Sequence, residues 1–390
     1  MAPHRTRPVN GVLEVLPVPS GRDVVAVLPA LRRMLGGDGP AMLPVPADDD
    51  RETRRLTDAL HPGEPIADGI GLVMATSGTT GTPKGAQLSA AALRTSGEAT
   101  HERLGGTGSW LLALPAHHIA GMQVLLRSLL SGTDPVVVDV ANGFDPAALP
   151  PAIAAMDGPR RYSSMVPTQL IKTLEHPDAT RAAAELDAIL LGGAATPAPV
   201  LRRARDAGIT VVRTYGMSET CGGCVYDGVP LNGVDVRVDA DSRVWLGGAT
   251  LASGYRGLPD HPGFAEPGWF RTDDAGLVDD GVLRILGRLD EALSTGGLTV
   301  VPQVVEAVLM EHPSVREVAV IGLPDDRLGQ RVAAVVVAAP GRSPALDELR
   351  DHVSGTLDRT AAPRELHVVD ALPLRGPGKV DRRALVARFS

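Results

Sequence analysis

Short apolar runs, several of them closing on glycine, recur through the first half of the chain. They are "GIGLVMATSG" (69–78), "SWLLALP" (109–115), "DPVVVDV" (134–140), "DAILLGGAA" (187–195) and "ITVVRTYGMSET" (209–220). Each is too short for a buried helix and is bounded by Gly, Pro or polar residues, so each predicts a buried strand. Between them lie stretches whose apolar positions suit one helix face: 23–35, 46–60, 88–104 and 120–132. The acidic residues opening the second suit a helix N-terminus, Ser89 is placed to cap the third, and Gly132 to end the fourth. The rest of residues 1–70 reads as irregular. Strands alternating with helices predict α/β layers, with ligand loops at the carboxyl ends of the strands.

Past residue 230 the pattern changes. "VDVRV", "RVWLGG" and "GVLRILGR" predict short strands joined by turns, a β-rich part at about 230–289. From 290 onward a helix (302–315), two strands (316–324 and 330–339) and a second helix (346–357) predict a compact α+β unit. The expected fold class is therefore α/β: a large N-terminal domain, 1–289, of layered α/β sheets with a β-rich subdomain, followed by a small α+β domain, 290–390, with the boundary at Asp290.

Composition narrows the function. A net charge of −8 over 390 residues argues against nucleic acid or an anionic membrane as the main partner. No apolar run reaches membrane-spanning length, and the N-terminus lacks a signal-peptide pattern. A cytoplasmic enzyme is the expectation. The two cysteines, Cys221 and Cys224, exclude a disulfide scaffold. Their CxxC spacing admits a redox pair or half a zinc site, but two small residues in a glycine-rich turn is the preferred reading. With four Phe, four Tyr and three Trp, the core must be built from Leu, Val and Ala.

The chemistry concentrates in "TSGTTGTPKG", 76–85. Glycines let backbone N–H groups wrap a ligand, hydroxyls add donors and Lys84 adds charge, which together make a polyphosphate clamp. It is not the GxxxxGK[ST] loop of P-loop enzymes, since Gly85 follows the lysine and the spacing differs. The stretch resembles the phosphate loop of the adenylate-forming superfamily: acyl-CoA synthetases, luciferases and peptide-synthetase adenylation domains. Six more segments resemble that superfamily in its own order: "LPAHHIAG" (114–121), "GGAA" (192–195), "TYGMSET" (214–220), "GWFRTDD" (268–274), "LGRLDEALSTGGLTVVPQVVE" (286–306) and "LPLRGPGKVDR" (372–382). The resemblance covers about 70–390.

It implies a two-step reaction, in which a carboxylate attacks the α-phosphorus of ATP and a thiol then takes the acyl group from the adenylate. It also implies a role for each matching residue. Thr76, Ser77, Gly78, Thr79, Thr80 and Lys84 would hold the β- and γ-phosphates, and Glu219, with Thr80, would hold Mg2+. Tyr215 and Gly216 would lie against adenine beside Gly192 and Gly193, and Ser218 would contact the α-phosphate or the metal's surroundings. Asp274 would accept from the ribose hydroxyls, with Arg288 as a second ribose or phosphate contact. Lys379 would stabilise charge between carboxylate and α-phosphate, and His118 would stand near the acyl pocket. Asp290 matches the hinge, and Gly296 and Gly297 the loop beside the pantetheine of coenzyme A. Two departures stand out: Asp273 replaces the usual glycine, which bears on the backbone before Asp274, and Leu298 stands where glutamate is frequent.

Only 75 residues precede the phosphate loop, fewer than in ordinary relatives. Among branches of the superfamily, the segments from 75 to 228 resemble the short 2-succinylbenzoate–CoA ligases of actinobacteria, which act in menaquinone synthesis. That likeness implies 2-succinylbenzoate, ATP and coenzyme A as substrates and no nucleic-acid partner; a homodimer is compatible with it. A dicarboxylate suits a pocket with polar donors, and "RYSSMVPTQL" offers Ser163, Ser164, Thr168 and Gln169. Arg161 or Lys172 would pair with the second carboxylate. The competing readings are a ligase for another aryl or medium-chain acid, an adenylation enzyme loading a carrier protein, and a nucleotide-binding regulator without catalysis.

Overall fold

In the computed structural model, residues 11–76, 82–375 and 379–390 are described, with the backbone only for Arg375 and Lys379. Contacts divide the chain into two compact units, Met1–Val236 with Trp245–Arg271, and Arg237–Val244 with Thr272–Ser390.

The first unit holds two sheets. Its seven-stranded sheet runs Val229–Pro230, Gly222–Tyr226, Val211–Met217, Ala188–Leu191, Arg161–Met165, Ser109–Leu112, Val136–Val137. From Val211 to the far edge the neighbours are parallel, while Gly222–Tyr226 returns antiparallel to Val211–Met217. Parallel strands are covered on both faces, which is why Ala188–Leu191 and Ser109–Leu112 are buried at every position. One face packs Leu111, Ile189, Leu191 and Met165 against Leu149, Ile153, Leu170 and Ala182.

The five-stranded sheet runs Pro65–Ile66, Gly11–Val18, Ala41–Pro46, Ile70–Thr76, Lys84–Ser89. Here the structure corrects the reading of residues 1–70 as irregular. Gly11–Val18 and Ala41–Pro46 are parallel partners over six residues. Prolines at 17, 44 and 46 interrupt the apolar pattern, yet Leu13, Leu43 and Val45 are fully packed with Leu56, Leu60 and Val73. Ile70–Thr76 and Lys84–Ser89 pair antiparallel, ending in Thr76 opposite Lys84, so the phosphate-loop segment joins the two strands of one hairpin.

The helices match the expected stretches. Asp50–Leu60 is capped by Asp49, whose carboxylate accepts from Glu52 N at 2.9 Å. Ala90–Arg103 is capped by Ser89, accepting from Ala92 N at 3.0 Å. The stretch 23–35 is a 3-10 turn, Gly21–Val27, continuing into Leu28–Gly36. Ile119–Leu130 is buried nearly all round.

The second unit contains a five-stranded sheet, Leu298–Val300, Leu293–Thr295, Gly329–Ala338 and Val315–Asp325 in order, with Glu365–Val368 also pairing with Gly329–Ala338. Helices Pro302–Leu309, Leu346–Ser354 and Arg382–Phe389 belong to the same unit. Strands Trp269–Asp279 and Val282–Arg288 form a hairpin that brings Asp274 opposite Arg288. The second unit thus begins before Asp290, which sits in the 3-10 turn Leu289–Glu291 within it.

Candidate active site

In the first unit, strand Val211–Met217 runs straight into the 3-10 turn Ser218–Thr220 and returns as Gly222–Tyr226. Tyr215 is half-buried opposite Val225. A Cβ on Gly216 would lie 2.1 Å from Gly222 O, so only glycine allows the hairpin to close this tightly behind Tyr215. Likewise a Cβ on Gly192 would meet Thr214 Oγ1 at 2.4 Å, and Gly193 has φ +84°. The turn buries Ser218 and Glu219.

Glu219 is held by a connector absent from the sequence expectations. Ala252 N donates to Glu219 O at 2.8 Å, and the buried Tyr255 hydroxyl donates to the Glu219 carboxylate. The same connector is stitched along the phosphate-loop hairpin: Arg256 N donates to Gly85 O, Ser253 N to Gln87 O, and Gln87 N to Gly254 O. Arg256 anchors it further, its guanidinium donating to Leu60 O at 2.6 Å, His61 O at 2.9 Å and Pro65 O at 3.1 Å. Lys84 Nζ consequently lies 3.0 Å from His261 Nε2 and 5.3 Å from the Tyr255 ring centre. Phe264 and Phe270 back the Tyr255 ring at 5.2 and 6.5 Å. Lys84 and Glu219, 135 positions apart in sequence, are thus bound to one short segment.

Of the phosphate loop, Thr76 closes the strand opposite Lys84; Ser77, Gly78, Thr79 and Thr80 lie outside the described residues. The donor chemistry fits Mg2+, which takes hard oxygen ligands, uses one or two carboxylates and keeps waters and substrate phosphates for the rest. Glu219 supplies one such carboxylate. Among the described residues there is no cluster of three or more His, Cys, Asp or Glu that would enclose a metal by protein ligands alone.

His118 is exposed just ahead of helix Ile119–Leu130. Its neighbour His117, 4.2 Å away between ring centres, is the more enclosed, and burial with the His118 charge pushes its pKa down to about 4. One helical turn on, Gln123 Nε2 donates to Cys221 O at 2.7 Å. Arg127, 3% exposed, donates to Tyr226 Oη at 3.3 Å and lies 5.1 Å from the Trp110 ring centre. Among the described residues, Gln123 Oε1 and Arg127 Nε are buried without a hydrogen-bond partner, and no carboxylate pairs Arg127. Burial pulls its pKa down. A buried cation and an orphaned amide oxygen on one helix face are a costly pair to leave unserved. The sequence hint was one arginine within "MQVLLRSLL", easily read as the polar edge of an amphipathic helix.

Ser163 and Gln169 are committed to the scaffold. Ser163 Oγ donates to Leu111 O, while Gln169 accepts from Val166 N and donates to Ala113 O at 2.6 Å. Ser164 is buried and Thr168 exposed. Arg161 pairs with exposed Glu185 and donates to its carbonyl, and Lys172 donates to Phe144 O at 3.5 Å. Both cations are occupied at the surface. Cys221 and Cys224 are fully buried, and burial pushes their thiols up, that of Cys224 to about 12, so neither is a ready thiolate.

In the second unit, Arg288 makes a two-pronged pair with Asp290 at 2.7 and 2.8 Å and reaches Asp274 at 3.5 Å and Asp273 at 3.7 Å. The Asp290 bonds come first in raising its pKa, so it stays charged. Asp274 is buried, its N–H donating to Thr272 Oγ1. Asp273 faces outward on the strand and pairs with Arg243 at 3.3 Å. It is not among the non-glycine residues with positive φ, so the departure from glycine places no strain on the strand. Gly296 and Gly297, φ +59° and +82°, are the central pair of the two-residue turn between Leu293–Thr295 and Leu298–Val300. Leu298 is exposed beside it. Lys379 stands on the short strand Lys379–Val380, opposite Arg375, and its side chain lies outside the described residues.

Comparison with known proteins shows the family. A family model described as AMP-binding enzyme matches residues 21–254, and one described as AMP-binding enzyme C-terminal domain matches 304–379. A probable 2-succinylbenzoate–CoA ligase of Mycobacterium tuberculosis is 58% identical over 382 residues, 97% of this chain and 99% of that protein. A 2-succinylbenzoate–CoA ligase of a Geobacillus strain is 31% identical, over 82% of this chain and 69% of its own. Among solved structures, the o-succinylbenzoate CoA synthetase of Bacillus subtilis, in complex with its acyl-adenylate intermediate, is similar with a TM-score of 0.77 and 25% identity, covering 98% of this chain and 89% of that one.

Proposed function

This chain belongs to the AMP-binding enzyme family, and we propose that it is a 2-succinylbenzoate–CoA ligase acting in menaquinone synthesis. The observation that carries the substrate is the 58% identity running end to end with the mycobacterial ligase. A likeness that covers 97% of the chain takes in both units rather than the phosphate loop alone.

The reaction has two steps. A carboxylate oxygen of the acid bonds to the α-phosphorus of ATP, the bond to the β-bridging oxygen breaks, and pyrophosphate leaves. The sulfur of coenzyme A then bonds to the acyl carbon, the acyl–oxygen bond breaks, AMP leaves and the thiol proton is released. Lys84 and the phosphate loop, Thr76 to Thr80, bind the β- and γ-phosphates. Glu219, with Thr80, holds Mg2+, which screens phosphate charge from the incoming carboxylate. Tyr215, Gly216, Gly192 and Gly193 receive adenine, Ser218 the α-phosphate, and Asp274 and Arg288 the ribose. Lys379 stabilises the charge of the first step. Asp290 is the hinge, Gly296 and Gly297 border the pantetheine, and His118 stands at the acyl pocket. Ser164 and Thr168 remain the pocket candidates from their segment. For the second carboxylate, Arg127, buried and without a carboxylate partner among the described residues, is favoured over Arg161 and Lys172. ATP and coenzyme A as substrates suit a cytoplasmic enzyme, and no helix among the described residues is long and apolar enough to cross a membrane.

The test is AMP formation from ATP and coenzyme A with 2-succinylbenzoate, benzoate and octanoate in turn, beside Lys379→Ala. Preference for 2-succinylbenzoate, lost in the variant, is the expected result. Turnover with the other acids only would discard the substrate while keeping the two-step chemistry.

A further inference from the structure

His261 meets two donors with one lone pair. Its Nδ1 accepts from Gly263 N–H at 3.1 Å, capping the turn Pro262–Phe264. A backbone N–H can only donate, so Nδ1 carries the lone pair and the neutral ring's hydrogen belongs on Nε2. That Nε2–H faces Lys84 Nζ at 3.0 Å. An ammonium and an imidazole N–H at this distance are two donors aimed at one region, an arrangement that becomes favourable when an anionic oxygen accepts from both.

The ring is built to stay there. Tyr255 packs edge-on against it at 4.6 Å, and Tyr255 is itself fixed to Glu219 and to Ala86 on the lysine's own strand. Lys84 has no carboxylate partner among the described residues. We propose that His261 is a second polyphosphate-binding side chain, which donates from Nε2 together with Lys84 to the terminal phosphates of ATP. This rests on the reading of Lys84 as a phosphate ligand.

Two substitutions separate binding from turn-building. His261→Asn places Oδ1 near the Nδ1 position and keeps the cap on Gly263 N–H, but removes the far donor. His261→Gln places an amide N–H2 near the Nε2 position and keeps a donor beside Lys84. Dissociation constants for ATP–Mg2+ and for AMP are measured by calorimetry on the full chain. The Asn variant is expected to weaken ATP about 10-fold or more, to leave AMP within about twofold, and the Gln variant to recover most of the loss. Unchanged ATP affinity in the Asn variant overturns the proposal. So does equal weakening of ATP and AMP, which would mark a purely structural ring, and so does a Gln variant as weak as Asn for ATP with AMP intact. Failure of the wild-type chain to bind ATP would instead overturn the nucleotide reading on which the proposal rests.

Discussion

At the residue scale, what sets this site apart is how few side chains connect its two charged ends. The Tyr255 hydroxyl is a donor to the buried Glu219 carboxylate, and its ring lies beside Lys84. Tyr255→Phe keeps the ring and removes the donor. Because Glu219 then loses a hydrogen bond to its charged form, we expect acid-dependent exchange between pyrophosphate and ATP to fall roughly 10-fold and to require more Mg2+. A magnesium titration matching wild type would count against Glu219 as the metal ligand. Arg127 makes a different case. A buried guanidinium with no carboxylate partner among the described residues is expensive, and a dicarboxylate would relieve it. Arg127→Met should raise KM for 2-succinylbenzoate by about 10-fold or more and leave KM for ATP unchanged; equal shifts in both would speak for a structural arginine.

At the scale of elements, the strand–turn–strand of 211–226 works because Gly216 lets the backbone at Gly222 come where a Cβ would stand, and Gly192 leaves that room to the Thr214 hydroxyl. Gly216→Ala would drive a methyl into Gly222 O, and the hairpin must open to admit it. We expect adenine binding to fail while the fold survives, since Tyr215 and Glu219 flank the position; intact ATP affinity in this variant would argue that the hairpin is not the nucleotide face. The helix Ala90–Arg103 supplies a pH effect. His101 is buried, accepts from Trp110 Nε1, and has its pKa lowered to about 4, by burial first and then by Arg127. The fold therefore favours the neutral ring. This contribution is whole above the unfolded value near 6.5 and is lost as pH falls toward 4, up to about 3 kcal/mol. Urea unfolding at pH 7 and pH 5 should show a lower midpoint at pH 5, and His101→Gln should shrink the difference. A midpoint equally pH-dependent in the variant would assign the effect elsewhere.

At the scale of the whole molecule, the two half-reactions ask one chain to present different groups to the same adenylate. Asp290 lies in a single 3-10 turn and is tied to Arg288 by two short bonds. Asp290→Pro fixes φ at this turn and removes the pair. For a hinge, the two halves should separate: pyrophosphate exchange and thioester formation should differ in their losses by about 10-fold or more. Equal losses in stopped-flow assays of each half-reaction would place the hinge elsewhere. In the same unit Arg382, three residues past Lys379, bonds Glu291 at 2.8 Å and Glu306 at 2.8 Å, tying the lysine's segment to the residue that follows Asp290.

Periodicity and glycine spacing were enough to order most strands and helices and to find the phosphate loop with Lys84, while Glu219, Asp274 and Lys379 were singled out by the resemblance of their segments to the adenylate-forming superfamily. Those features are local: alternation, caps and turns are written within a few residues, and a run such as "TSGTTGTPKG" carries its chemistry in its own composition. Two strands in 11–46 escaped because prolines interrupt their patterns, and because Gly11–Val18 exposes apolar Val12 and Val15 while Ala41–Pro46 is buried on both faces, so neither alternates cleanly. Tyr255, His261 and Arg127 escaped for another reason. Whether an arginine in an apolar helix is an edge or a buried charge, and whether a histidine 177 positions downstream meets a lysine, depends on which surfaces pack together. Burial and proximity between distant positions are properties of the packed chain, and only the tertiary structure decides them.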